Sequence, residues 1–290
     1  MSELVVATPS LRSPSMEFWR RFRRKHLALS SGVFLLLLIL AAILAPWLAP
    51  YDPATPDYDN VLMGPSLLHL CGTDTFGRDI FSRIIWGGRI SLSVGFISVA
   101  LGGLAGVTLG LISGFFGGII DSLIMRVMDV LLAFPGILLA IGVIALLGPG
   151  IDNVIYAIAV FSTPVFARLV RGSTLGLKRT VYVQAARSIG VRKFPLIMRH
   201  ILPGTLPAVI VYVSLRVGTS ILTAASLSFI GLGAQPPSPE WGAMLSDGRS
   251  YLGVADHVML FPGLAIFVTV LAFNLLGDGL RDALDQRLRT

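Results

Sequence analysis

A chain of 290 residues with 54% hydrophobic and only 13% charged side chains departs from soluble domains, where charged residues run near ~25%. Several apolar runs approach the ~20 residues a helix needs to cross a bilayer, and the ~10-residue alternating segments of a closed β-barrel are missing. The net charge of +7 is clustered by loop, so it reads as orientation in a membrane rather than as a nucleic-acid surface. The expected fold class is therefore all-α: a polytopic membrane protein.

Residues 1–27 form a basic tail that ends in "FWRRFRRKH". The first span follows at 28–49. A signal peptide is the competing reading, but the apolar stretch from Leu27 to Leu48 is longer than a typical h-region of ~7–15 residues. Further spans are predicted at 90–115, 124–147, 151–170, 206–228 and 258–278, six in all. With the N-terminus in the cytoplasm, segments 50–89 and 229–257 lie outside, while 171–205 and the tail 279–290 lie inside. Of the 23 Lys and Arg residues, only Arg78, Arg83, Arg89 and Arg249 fall outside, Arg216 falls within a span, and the rest, from Arg12 to Arg287 and Arg289, are inside. That asymmetry satisfies the positive-inside rule.

The second span carries Gly102, Gly106, Gly110, Gly114 and Gly118. A glycine every four residues lines one slowly drifting helix face, which either admits another helix closely or lines a groove. Pro135 in "LLAFPG" and Pro164 in "FSTPVF" predict kinks, because each removes a backbone hydrogen bond. In the outer segment, "GLGAQPPSPEWG" excludes a straight helix.

No catalytic constellation is found. The dipeptide Gly-Lys never occurs, so there is no P-loop, and neither a Gly-x-Ser-x-Gly elbow nor a His-Glu-x-x-His motif is present. The single cysteine, Cys71, rules out an internal disulfide or a Cys-cluster metal site, and the four histidines lack ligand-like spacing. No metal and no catalytic residue are expected. Carboxylates within spans are nearly absent, Asp129 lying near the start of the third, which argues against an ion- or proton-coupled carrier acting alone. A structural scaffold that passes no substrate is a further alternative.

The segment "VQAARSIGVRKFPLIMRHILP", residues 183–203, is polar and basic amid apolar surroundings. Tyr182 to Ser188 can form a short helix, Gly190 a turn, and Pro195 the first turn of a second helix. Ala185 and Ala186 are small enough for close docking in a groove. Leu196, Ile197, Ile201 and Leu202 give the second helix an apolar side, and Pro203 is expected to end it. On the residues alone, this is either a docking element for a soluble partner or a solvated loop.

The stretch resembles the signature loop of inner-membrane permease subunits of ATP-binding-cassette importers: Glu-Ala-Ala, three residues, Gly, and a later Leu-Pro. Here it reads Gln184-Ala185-Ala186, Gly190 and Leu202-Pro203, with glutamine replacing glutamate and His200 at the usual isoleucine position. "GTDTFGRDIFSRIIWGGRISL", "ASLSFIGLGAQPPSPEWGAML" and "LAFNLLGDGLRDALDQRL" resemble the peptide/nickel branch, and the whole run is most similar to the second permease subunits of glutathione importers. The resemblance implies a type I importer permease fold, with a permease domain over 90–278 and a coupling loop over 171–205. It also implies a heterodimer with a related permease, two cytoplasmic ATPase subunits that hold ATP and Mg, and a periplasmic solute-binding protein. This chain itself would bind no cofactor and would not be an enzyme. Glutathione or another short peptide is the implied cargo; dipeptides, oligopeptides or nickel are the alternatives within the branch.

Arg216 stands well inside the fifth span, where a central arginine costs about 2.5–3.5 kcal/mol on the insertion scale. It must face protein or water. Either it has an internal partner, or it lines the translocation path and attracts a substrate carboxylate. For sidedness, the expected outcome is that a membrane-impermeant thiol reagent labels Cys71 from the periplasmic face. Ser238→Cys in a Cys71→Ser background is the control, and its labelling only from the cytoplasmic face would overturn the topology.

Overall fold

The computed structural model describes residues 14–284; Arg12, Arg287 and Arg289, counted above with the inside charges, lie outside the described residues. The helices are α1 (Pro14–Arg23), α2 (His26–Ile43), α3 (Ala45–Leu48), α4 (Ile80–Phe116), α5 (Gly118–Ala133), α6 (Gly136–Leu147), α7 (Ile151–Leu177), α8 (Val181–Ser188), α9 (Lys193–Leu196), α10 (Leu202–Phe229), α11 (Trp241–Gly248) and α12 (His257–Leu284). Among the described residues, five helical stretches are long and apolar enough to cross a membrane, or six if the bent pair α5–α6 forms one span.

The centre of the fold is the pairing of α4 with α7. Cβ atoms placed on Gly102, Gly106, Gly110 and Gly114 would lie 2.7 Å from the Ala159 oxygen, 2.5 Å from the Thr163 oxygen, 2.5 Å from the Ala167 oxygen and 2.8 Å from the Thr174 Cβ. No side chain fits between backbones this close, so the ladder packs a helix rather than lining a groove. Gly118 leaves the ladder: with Gly117 it takes positive φ, 58° and 68°, and turns the chain into α5.

Helix boundaries differ from the predicted spans for identifiable reasons. α4 begins at Ile80, not 90, and is 37 residues long. Arg83, counted as an outside charge, is only 1% exposed within its first turns. The third span is two helices bent by 94°; Pro135 lacks the N–H that would continue α5, and a Cβ placed on Gly136 would lie 3.1 Å from the Phe161 ring. α7 runs unbroken through Pro164 to Leu177. Pro203 does not stop the helix before it: α9 continues into α10 through a π turn at Ile197–Ile201, where the Leu202 N–H donates to the Ile197 oxygen five residues back. Shifting the register there accommodates a proline with no N–H to donate.

The end of the bundle where α4 starts is closed by a cap made from 49–79 and α11. Its centre is the motif "GTDTFGRDIFSR", folded into a buried knot of charges. Asp74 accepts from the Arg78 Nε (2.7 Å) and faces the Arg83 Nε at 3.4 Å. Asp79 accepts from the Ser82 N–H (2.7 Å) and meets the His69 ring at 3.0 Å. Arg83 then donates from Nη1 to the Pro53 carbonyl (2.8 Å) and reaches the Pro237 and Ser238 carbonyls at 3.5 Å. One guanidinium thus ties three separate segments. Glu240 is buried beside it, accepting from the Ser91 hydroxyl (3.2 Å) and capping α11 through the Ala243 N–H (2.9 Å). Burial pushes the Glu240 carboxyl up, against the pull of the Gly242 and Ala243 N–H groups and of Ser228 and Ser91. Trp241, fully buried, donates from Nε1 to the Ile84 carbonyl (2.9 Å).

Cys71 packs against this cap. Burial and then the nearby Asp79 carboxylate push its thiol up to about 11. Because the thiolate is the reacting form, labelling should be slow at pH 7 and gain about tenfold per pH unit, without the plateau an ordinary thiol shows above ~8.5.

The α4–α7 contact generates a stability prediction. Gly106→Ala forces its Cβ against Phe166 and the Thr163 oxygen, so it should lower the thermal midpoint of the purified permease by an overpacking cost of ~1–3 kcal/mol. Gly172→Ala, on α7 with nothing within 4 Å, should leave the midpoint unchanged or slightly raised. Equal effects would contradict the packing account.

Candidate translocation and coupling site

Two regions carry the residues singled out from the sequence. They lie at different depths of the bundle, joined by α7 and α10.

The first is the loop that follows α7. Lys178 donates to the Gly114 and Phe115 carbonyls (3.2 and 2.6 Å), which fixes the loop entrance to the end of α4. Nearby, Asp121 on α5 takes two parallel bonds from Arg171, Nε at 2.6 Å and Nη2 at 2.7 Å, and a third from the Ser113 hydroxyl. Three helices are therefore tied at the loop's base. α8 occupies Val181–Ser188 and ends in a tight double closure: the Gly190 N–H donates to the Arg187 oxygen and the Val191 N–H to the Ala186 oxygen, both at 3.1 Å. Gly190 adopts φ +82°, the left-handed conformation that this helix ending requires and that glycine adopts at least cost. α10 ends in the same way at Gly231.

The loop's two sides differ. Val183 and Ala186 are buried with Leu196, Ile197 and Ile201 against Leu111 and Val170. The two alanines therefore do different jobs: Ala186 packs into its own chain, and only Ala185 faces out beside Gln184. The outward face also exposes Val181, Ile189 and Phe194, among Arg187, Arg192 and Lys193. Gln184 makes one weak contact, from its Nε2 to the Arg179 oxygen at 3.4 Å. Pro203 is exposed and Leu202 half-buried at the start of α10. The Tyr182 hydroxyl donates to the His200 oxygen (3.1 Å), so α8 is stitched to the π turn.

The second region surrounds Arg216, at the middle of α10. Its Nε and Nη2 donate to the Ser162 hydroxyl (3.3 and 3.2 Å), and its guanidinium lies over the Phe161 ring, 4.5 Å from the centroid. Neither partner is charged, and among the described residues no carboxylate pairs with Arg216. An arginine in mid-membrane is thus held in place but not neutralised. By contrast Asp129, the carboxylate noted near the third span, is paired with Arg168 at 2.6 Å.

Arg216 belongs to a stripe that sequence reading missed: Tyr212, Arg216, Thr219, Thr223 and Ser226, spaced by four and three residues along one face of α10. Thr219, Thr223 and Ser226 donate to backbone oxygens of their own helix, which is how small hydroxyls pass unnoticed in an apolar sequence. One end of the stripe enters a groove of about 490 Å³ that includes Val211, Tyr212 and Leu215. The other enters one of about 590 Å³ that includes Leu222, Ser226, Phe267 and Asn274. Arg216 stands between the two.

Residues 106–290 match the family described as binding-protein-dependent transport system inner membrane component, and residues 13–65 match the N-terminal transmembrane domain of oligopeptide transport permease C. The chain is 58% identical over 286 residues to the glutathione transport system permease protein GsiD of Escherichia coli O157:H7, covering 98% of this chain and 94% of that one. The GsiD protein of Shigella boydii serotype 4 is equally similar, with the same coverage. Among solved structures, an inward-facing MetNI methionine ABC transporter chain superposes with a TM-score of 0.57 at 20% identity, over 71% of this chain and 98% of that one. A chain of an amino acid ABC transporter gives 0.54 at 18% identity, over 69% and 94%. At those identities the structures speak to the fold alone, and they are the same type of permease fold that the loop implied. Such permeases work with ATPase and substrate-binding partners and are multi-pass proteins of the inner membrane. This chain belongs to the inner-membrane permease components of binding-protein-dependent ABC importers, and is not itself the ATPase of such a system.

Proposed function

We propose that the chain forms one half of the pathway by which an importer moves glutathione, or a peptide of similar size and charge, across the bacterial inner membrane. The other half comes from a related permease in a heterodimer. Two cytoplasmic subunits bind ATP and Mg and hydrolyse the nucleotide, and a periplasmic binding protein delivers the cargo. The N- and C-termini and α8–α9 face the cytoplasm, in keeping with the distribution of basic residues. The cargo reading draws on the 58% identity to glutathione permeases; the observation that carries it physically is the unneutralised Arg216 between two grooves. Glutathione carries two carboxylates and is a net anion at neutral pH. A guanidinium can grip a carboxylate through two parallel hydrogen bonds, and a single serine and a ring leave it free to do so.

ATP-driven closure of the partners moves α8 as a lever. Gln184, Ala185 and Gly190 present the outer surface of that lever, and Ala186 ties it to the core. Leu202-Pro203 joins it through the π turn to α10, and hence to Arg216.

Gly190→Val tests the lever. With open space around the position, the cost is backbone strain of ~1–3 kcal/mol rather than a clash. The complex should still assemble with its ATPases but lose substrate-stimulated ATP hydrolysis at least about tenfold, while Gly190→Asn, which tolerates left-handed φ, should recover part of it. Normal transport by the valine variant would reduce the loop to a tether. Arg216→Gln tests the path, because glutamine can keep a hydrogen bond to Ser162 but carries no charge. Uptake of labelled glutathione should fall more than uptake of a neutral dipeptide at equal protein level. Equal loss of both, or loss of the complex, would make Arg216 a structural residue.

A further inference from the structure

The helix preceding the first span carries a feature that transport does not use. α1 ends two residues before α2 begins, and Lys25 between them is non-helical, with φ −94° and ψ 84°. Since α2 is the first membrane-crossing helix, α1 is held at the bilayer surface. It has two faces. Phe18 and Phe22 stack on each other, with ring centroids 5.9 Å apart, and pack against Ala28 of α2 and Leu280 and Ala283 at the end of α12. Gly279 makes room there: a Cβ on it would collide with Ala28 and lie 3.7 Å from the Phe22 ring. The Lys25 Nζ pairs with Asp282 at 2.7 Å. These contacts make α1 a fixed part of the bundle rather than a loose tail.

The other face is largely exposed, with only the Trp19 ring leaning on Phe22, centroids 6.2 Å apart. Met16 is 67% exposed and Trp19 52% exposed. Arg20 and Arg23 alternate with them around the helix and Arg24 follows, all exposed. Among the described residues none of these three arginines is ion-paired. Two bulky apolar groups interleaved with guanidinium groups, anchored at a membrane surface, match an anionic interface: apolar tips enter the acyl boundary while the cations meet phosphate.

We propose that the outward face of α1 is a binding site for anionic phospholipid headgroups, with Arg20, Arg23 and Arg24 holding the phosphate and Met16 and Trp19 seated among the upper acyl carbons. The charge match and the two-residue link to a membrane span favour lipid over an acidic protein surface. The Phe22 and Lys25 contacts connect the bound lipid to the end of α12.

The test uses the assembled transporter in phosphatidylcholine vesicles containing a trace of phosphatidylglycerol or phosphatidylcholine, each with a photoreactive diazirine in its acyl chain. Crosslinks are mapped by mass spectrometry. The phosphatidylglycerol probe should label Met16 and Trp19 about tenfold or more above the phosphatidylcholine probe. Arg20→Gln, Arg23→Gln and Arg24→Gln together should bring the ratio near one. Inorganic phosphate should compete no better than chloride at the same ionic strength. Equal labelling by both probes in the wild-type complex overturns the proposal. So does an unchanged ratio in the assembled triple variant, selective displacement by phosphate, which would mark a free-anion site, or labelling that appears only after the ATPases are stripped away, which would mark a protein contact. If the triple variant does not assemble, the wild-type probe ratio and the phosphate competition decide.

Discussion

Everything placed in this bundle depends on how closely α4 approaches α7. Lipid supplies little hydrophobic drive between helices, so association rests on van der Waals contact at short range, and four glycines in register permit it along most of the length of α7. The consequences reach both functional regions. Gly102 lies against Ser162, and Ser162 is the hydroxyl that holds Arg216. Gly114 lies against Thr174, and one turn further Lys178 reaches back to the end of α4 to fix the loop entrance. A residue larger than glycine on the ladder would displace the arginine and the loop together.

The opposite end is fixed by different physics. Arg78, Arg83, Asp74 and Asp79 are buried together, and removing one partner from such a set costs about 3–5 kcal/mol because the remaining charge is stranded. Arg83 matters beyond its charge, since its carbonyl acceptors come from two segments far apart in sequence. The cap holds the tops of α4 and α10 while the π turn and the bend at Pro135 leave the middle and lower parts of the bundle irregular. A transporter that alternates between two states needs both kinds of region: one that stays and one that can change.

Much of this was legible in the sequence where a single period dominated. The glycine ladder, the α8–Gly190–α9 outline and the apolar centres of most spans each followed from spacing. Charge hides the role of Arg83, because a sequence does not say that an arginine has a buried carboxylate and several carbonyls waiting for it; α4 extends ten residues ahead of the predicted span. Pro135 announced a kink, but its size depends on how α6 packs against Phe161, a partner distant in sequence. Pro203 was expected to end a helix and instead sits just after a π turn that absorbs its missing donor. The polar stripe around Arg216 stayed hidden because threonine and serine bond their own helix and hardly interrupt an apolar run.

α4 and α7 form one rigid body that carries the loop at one end and, near its middle, the Ser162 hydroxyl and Phe161 ring that hold Arg216 of α10. Pulsed electron-spin distance measurements test this most directly, with labels at the exposed positions Leu104 on α4 and Tyr156 on α7 in a Cys71→Ser background of the assembled transporter. The distance distribution should be the same without nucleotide and in the ATP-trapped state. A change of several ångströms between those states, beyond label rotamer spread, would mean that the helices slide past each other and that the glycine contact is not the frame of the mechanism.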